Sequence, residues 1–215
     1  MSFLPPPAPG GSSSERYWSP NKNIPDNGTE YLRLCGTYAT GHSARGFRYW
    51  TNENRPVYCA EWPSETPNIK MRPSKTDPSV LQADAITEVL LLVGFVAGAG
   101  GFRLLEISQR SIRLELETVA SRSDCNFTAD GLADWVLKVE KNLRINPSLP
   151  TYIATIIPEK PPSDEMADAW SAFAPTVQPG LRFAGQNPFV GATPNLPDGT
   201  YGEDPSPTED LPDGI

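Results

Sequence analysis

A chain of 215 residues has room for one ordinary domain with extended ends, and 24 prolines, 17 glycines and a hydrophobic share of 38% imply that part of it builds no core. The formal charge of −8 belongs wholly to the last quarter: residues 1–160 carry 17 Lys+Arg and 17 Asp+Glu, residues 161–215 one arginine and nine acids. The acidic total therefore does not exclude a nucleic-acid-binding body. A disulfide framework and a zinc site are excluded, because Cys35, Cys59 and Cys125 are odd in number, scattered and accompanied by one histidine; they are expected as reduced thiols in packing positions.

Residues 1–29 read as a flexible N-terminal arm. "MSFLPPPAPGGSSSER" breaks into proline and glycine after four residues, without the apolar run of a signal peptide, and no segment reaches the ~18 apolar residues of a membrane span. The expectation is an intracellular protein with no membrane partner. From residue 30 the texture changes. "YLRLCGTYATG" (31–41) alternates as a strand and "GFRYWT" (46–51) is a short aromatic strand, so the two are expected as hairpin arms or as neighbours in one sheet. Residues 62–79, rich in proline, predict a loop.

"ITEVLLLVGFVA" (86–97), "GAGG" (98–101) and "FRLLEIS" (102–108) predict a strand, a glycine turn and a strand. "QRSIRLELETVASR" (109–122) shifts to helical spacing, with Ile112, Leu116 and Val119 on one face. "DWVLKVEKNL" (134–143) and "TYIATIIP" (151–158) alternate again. Five or six short strands with one helix before the last two compose a mainly β domain over 30–160, an OB-fold-like small Greek-key barrel with one inserted helix. Residues 161–215 read as a proline-rich acidic tail, with a short helix at 163–174 whose Met166, Trp170 and Phe173 share a face.

No enzyme signature survives inspection. "GHSAR" (41–45) has Arg45 where a nucleophile elbow needs its second glycine, "GAGG" leads into a strand rather than a phosphate-binding helix, and no cluster of acids and histidines has metal-ligand spacing. Neither catalysis nor a cofactor is expected.

What remains is a basic segment with interleaved rings. Residues 31–75 hold seven basic and three acidic side chains, and single-stranded nucleic acid offers both a base face to stack on aromatics and a phosphate to attract cations. The candidate phosphate contacts are Arg33, Arg45, Arg48, Arg55, Lys70, Arg72 and Lys75, and the candidate stacking platforms are Tyr38, Phe47, Tyr49, Trp50 and Tyr58. Strand alternation puts Phe47 and Tyr49 on one face and Arg48 and Trp50 on the other, and spacing leaves open which pair faces the core.

The segments "YLRLCGTYATGHSARGFRYWTNENRPV", "ETPNIK" (65–70), "FRLLEISQRSIRLEL" and "DWVLKVEKNL…TYIATIIPEKP" resemble, in order and spacing, a family of bacteriophage single-stranded DNA-binding proteins. Over residues 30–160 the resemblance implies an OB fold and sequence-independent coating of ssDNA in phage replication, recombination or repair, in the host cytoplasm. The family carries aromatics where "ITEVLLLVGFVA" is aliphatic, so base stacking is expected from residues 47–58 instead. The acidic tail resembles those with which such proteins recruit polymerases, helicases or recombinases. Here Leu211, Pro212 and Ile215 would supply apolar contacts and Glu209, Asp210 and Asp213 the charge. A virion structural or adaptor protein using the same barrel is the alternative.

Overall fold

The longest apolar run becomes the central strand β7 (Thr87–Val96), and it is apolar from Val89 onward because both of its faces are covered there. Leu92 and Val96 point into one core, Val89, Leu91 and Val93 into another. The structure is a computed structural model of the chain and describes residues 16–190 except 75, 120, 144–149 and 159.

One edge of β7 carries β8 (Gly101–Ile107) in the expected hairpin, with Gly100 at φ 60° in the turn. The other edge is shared end to end. β2 (Thr29–Cys35) pairs with Val93–Val96, and β3 (Ser43–Trp50) pairs with Thr87–Leu92. β2 and β3 are thus neighbours in one sheet but not hairpin arms, because a ten-residue strand has length for two partners in succession. β3 forms its hairpin with β4 (Pro56–Cys59). β9 (Val136–Asn142) pairs with β2 and, over seven residues, with β10 (Thr151–Ile157).

The short β1 (Tyr17–Trp18) lies parallel to β8, so the sheet is mixed, with path order β1-β8-β7-β2-β9-β10 and its two ends unpaired with each other. The protein is mainly β and the sheet does not close among the described residues. β5 (Met71–Pro73), inside what reads as a loop, and β6 (Leu81–Ala83), just beyond it, form a separate small ribbon.

The first core gathers Leu32, Leu105, Ile107, Trp135, Leu137 and Val139, and α2 (Arg110–Val119) contributes Ile112 and Val119, with Leu116 half-buried beside them. Trp18 and Ile24, the latter just after α1 (Pro20–Asn23), also belong to it. The second core lies on the opposite face of β7 and β8, where α3 (Asp164–Phe173) and residues 174–190 cover Val89, Leu91, Val93, Phe102 and Leu104 with Trp170, Val177 and Phe189. The packed body therefore extends beyond 30–160 at both ends.

The proline content of 174–190 conceals this. Pro175 and Pro179 open 3-10 turns at Ala174–Thr176 and Pro179–Ala184, positions where a missing N–H costs nothing. The second turn approaches β3 so closely that a Cβ on Gly46 would stand 2.5 Å from a Phe183 ring carbon.

All three cysteines are free thiols, Cys35 and Cys125 buried and Cys59 half-buried. Burial pushes the Cys35 thiol up from 9.0 to about 12 and, with help from Asp26, the Tyr152 phenol up from 10.0 to about 12. Both groups bind their protons more tightly folded than unfolded, so their contribution to stability is complete below about pH 9 and is lost as pH rises toward 12. Urea melts followed by tryptophan fluorescence from pH 8 to 12 are expected to show that decline, shallower above pH 10 in Tyr152→Phe.

Candidate nucleic-acid interface

Register sorts the predicted residues onto two faces of β3. Directly opposed residues of antiparallel strands share a face, so the pairs Arg48↔Tyr58, Arg48↔Thr87 and Leu91↔Glu106 place Arg48, Tyr58 and Glu106 together on the second-core side. The pair Phe47↔Glu88 places Arg45, Phe47, Tyr49 and Glu88 on the other.

On the second-core side the cation is spoken for. Arg48 Nη1 pairs with Glu106 Oε1, with side chains only 13% and 14% exposed. The Tyr58 hydroxyl donates to Glu106 Oε2 at 2.6 Å. Arg182, from the covering segment, donates to the hydroxyls of Tyr58 and Tyr17, each at 3.1 Å, with its guanidinium 4.4 and 4.9 Å from their ring centroids. Burial, and then the Glu106 charge, raise the Tyr58 phenol well above its ordinary range. Burial opposes the charge on Arg182, but Tyr58, Tyr17 and Glu106 together outweigh it and raise its pKa. Arg48 and Tyr58 are thus parts of an internal network, and this corrects their reading as outward DNA contacts.

Two further predicted contacts are structural. Arg33 Nη1 donates to the carbonyls of Ala133, at 2.5 Å, and of Lys160, clamping β2 to both segments. Tyr49 is 3% exposed, and burial raises its phenol. The open question of which pair faces the core has a mixed answer: Tyr49 and Arg48 are covered, while Phe47 and Trp50 are half-exposed on opposite faces. The Arg48 guanidinium lies 5.1 Å from the Trp50 ring.

The remaining predicted cations range from half-buried to exposed. Arg55 is exposed in the β3–β4 turn. The "ETPNIK" segment docks beside that turn: Lys70 N donates to Trp50 O at 2.7 Å, Asn52 N donates to Asn68 O at 2.9 Å, and Lys70 Nζ reaches Asn54 Oδ1 at 2.5 Å. Arg72 pairs with Asp84 at 2.9 Å and keeps 42% of its side chain exposed. Arg45 is 53% exposed, bonded to Glu88 and 3.6 Å from Glu117 on α2. Arg113, also from α2, pairs with Glu88 too. Hydrogen bonds from Arg45 and then Arg113 hold the Glu88 carboxyl below its usual range.

Sequence reasoning missed Trp62, the most exposed large apolar side chain described at 62%, which meets Phe47 edge-on with centroids 5.4 Å apart. Its signal was a lone tryptophan in a polar, proline-containing loop, where no apolar periodicity asks for one. Tyr38, a predicted platform, is also exposed and feels the charges of Arg45, Glu117 and Glu88. His42 bridges Thr40, at 2.9 Å, and the Ala174 carbonyl, at 3.0 Å, and so ties the β2–β3 loop to the covering segment.

Lys75 and the tail residues Glu209, Asp210, Leu211, Pro212, Asp213 and Ile215 lie outside the described residues. Among the described residues there is no group of three or more His, Cys, Asp or Glu that could hold a metal, and no helix is long and apolar enough to cross a membrane. No protein-family model matches the chain, and no curated protein or solved structure matches it.

Proposed function

We propose that this chain is a bacteriophage-type single-stranded DNA-binding protein that coats exposed strands without sequence preference during replication, recombination or repair in the host cytoplasm, and catalyses no reaction. The observation that carries the reading is the Trp62–Phe47 pair, sharing the connection between β2 and β7 with exposed Arg55 and half-buried Lys70 and Arg72. A tryptophan left in water forgoes its burial energy, and a stacked base would restore it.

The strand order supports a barrel of the OB kind. Taken in chain order, β2, β7, β8, β9 and β10 lie as β8-β7-β2-β9-β10, with α2 between the third and fourth, leaving a seam between β8 and β10. OB barrels take oligonucleotides on the face of their second and third strands and on the adjoining loops. Here the outer face of β7 and β8 lies under α3 and residues 174–190, so binding falls to the long loop between the first two strands. The same cover explains why β7 is aliphatic where the family has aromatics.

The acidic tail, residues 198–215, carries six acids and no base and ends in Leu211, Pro212 and Ile215. Its proposed role is recruitment of replication or recombination proteins. The adaptor reading draws on the exposed Met71, Val80 and Leu81 around the β5–β6 ribbon, an apolar patch suited to protein contact.

The test is fluorescence anisotropy with single-stranded and duplex oligonucleotides of about 30 nucleotides at two salt concentrations. Preference for the single strand that weakens with salt is expected, and Trp62→Ala is expected to cost roughly 1–3 kcal/mol of binding without changing the melting temperature. No salt-dependent binding by the wild type would leave the adaptor reading in its place.

A further inference from the structure

On the face of β3 that meets α2, every cation is matched by a carboxylate. Arg45 and Arg113 both bond to Glu88, and Arg45 also lies 3.6 Å from Glu117. Arg45 and Glu117 each have side chains 53% exposed. Phe47 stands directly opposite Glu88 in the strand register, with Trp62 against it, and Tyr38 lies near Arg45. The surface therefore presents stacking rings beside one exposed cation, Arg45, whose charge is cancelled locally, while Arg113, only 14% exposed, is covered.

We infer that Glu88 and Glu117 act as a specificity filter that withholds Arg45 from phosphate unless bases stack at the same time on Phe47 and Trp62. The inference rests on the ssDNA-binding reading and names what that reading lacks, the residues that discriminate single strands from duplex.

A phosphate approaching Arg45 must displace Glu88 and Glu117 and exchanges one anion for another with little net gain, since exposed ion pairs are individually weak. Duplex DNA offers this face mainly phosphates, because its bases are already stacked within the helix. A single strand offers unstacked bases as well, and stacking adds a favourable contribution that duplex does not match. Duplex also carries the denser row of phosphates, one charge per ~1.7 Å of helix axis, and is repelled more strongly by a nearby carboxylate, so Glu88 and Glu117 lower affinity for both forms but penalise duplex more.

The test compares Glu88→Gln and Glu117→Gln with Glu140→Gln, which removes an acid from β9, a strand that pairs with neither β3 nor β7, and so reports the general effect of lost charge. Each full-length variant is titrated with the single-stranded and duplex oligonucleotides across a salt series, and circular dichroism melts check folding. Glu88→Gln is expected to bind duplex roughly 2- to 5-fold more tightly, as release of one exposed ion pair allows, and single strands by less. Its salt dependence for single strands should steepen by about 0.7 per arginine freed. Glu117→Gln, exposed on α2 and touching only Arg45 among these cations, should shift both in the same direction by less.

Variants that change the single-strand-to-duplex ratio no more than Glu140→Gln overturn the filter while leaving ssDNA binding intact. Weaker binding by a folded Glu88→Gln also overturns it, because Glu88 would then be positioning Arg45 for phosphate. Absence of ssDNA binding by the wild type removes both the reading and the filter built on it.

Discussion

Arg48→Ala is expected to destabilise the fold by about 3–5 kcal/mol, because it removes one partner of a covered ion pair and leaves Glu106 behind. The Tyr58 hydroxyl, donating at 2.6 Å, still faces that carboxylate, so the cost is expected at the lower end of the range. Urea unfolding measures the stability, and a DNA titration of the folded fraction should show an unchanged salt slope. A variant as stable as the wild type but with a flatter salt slope would return Arg48 to the DNA surface that its sequence context suggested.

Trp170→Ala should be comparably costly, about 3–5 kcal/mol, through the cavity it leaves in the second core. The ring is 3% exposed, packs 5.5 Å from Phe102 and 4.9 Å from His42, and donates its Nε1–H to the Asp130 carbonyl at 2.9 Å. Trp170→Phe should lose less, keeping most of the ring volume but not the hydrogen bond. Thermal or urea melts decide the matter. A loss below about 1 kcal/mol would mean that α3 contributes no more to the fold than an ordinary surface element.

How far each feature could be read from sequence depended on whether its signal was local. The strand at 87–96, the glycine turn, the helix face of Ile112 and Val119 and the strands β9 and β10 follow from apolar spacing and turn chemistry, and all are formed. The short helix at 163–174 follows from its Met166, Trp170 and Phe173 stripe and its acidic first turn. Its destination did not, because an apolar stripe says that it must be covered and not by what. Likewise β7 was read as an aliphatic strand, but that both its faces are buried depends on residues more than seventy positions away in the chain.

The candidate interface divides in the same way. Composition alone determined that the basic and aromatic residues concentrate between 31 and 75 and that the acidic excess follows residue 160. Only tertiary structure decided which of them face outward. Arg48, Tyr58 and Arg33 look like surface cations and rings until Glu106, Arg182, Ala133 and Lys160 are brought to them by strand register and by the C-terminal cover. Trp62 looks like a stray loop residue until Phe47 meets it. The physical reason is that a side chain's charge and shape are properties of the sequence, whereas its solvent exposure and partners belong to contacts between segments distant along the chain, and these decide whether an arginine is left for a phosphate.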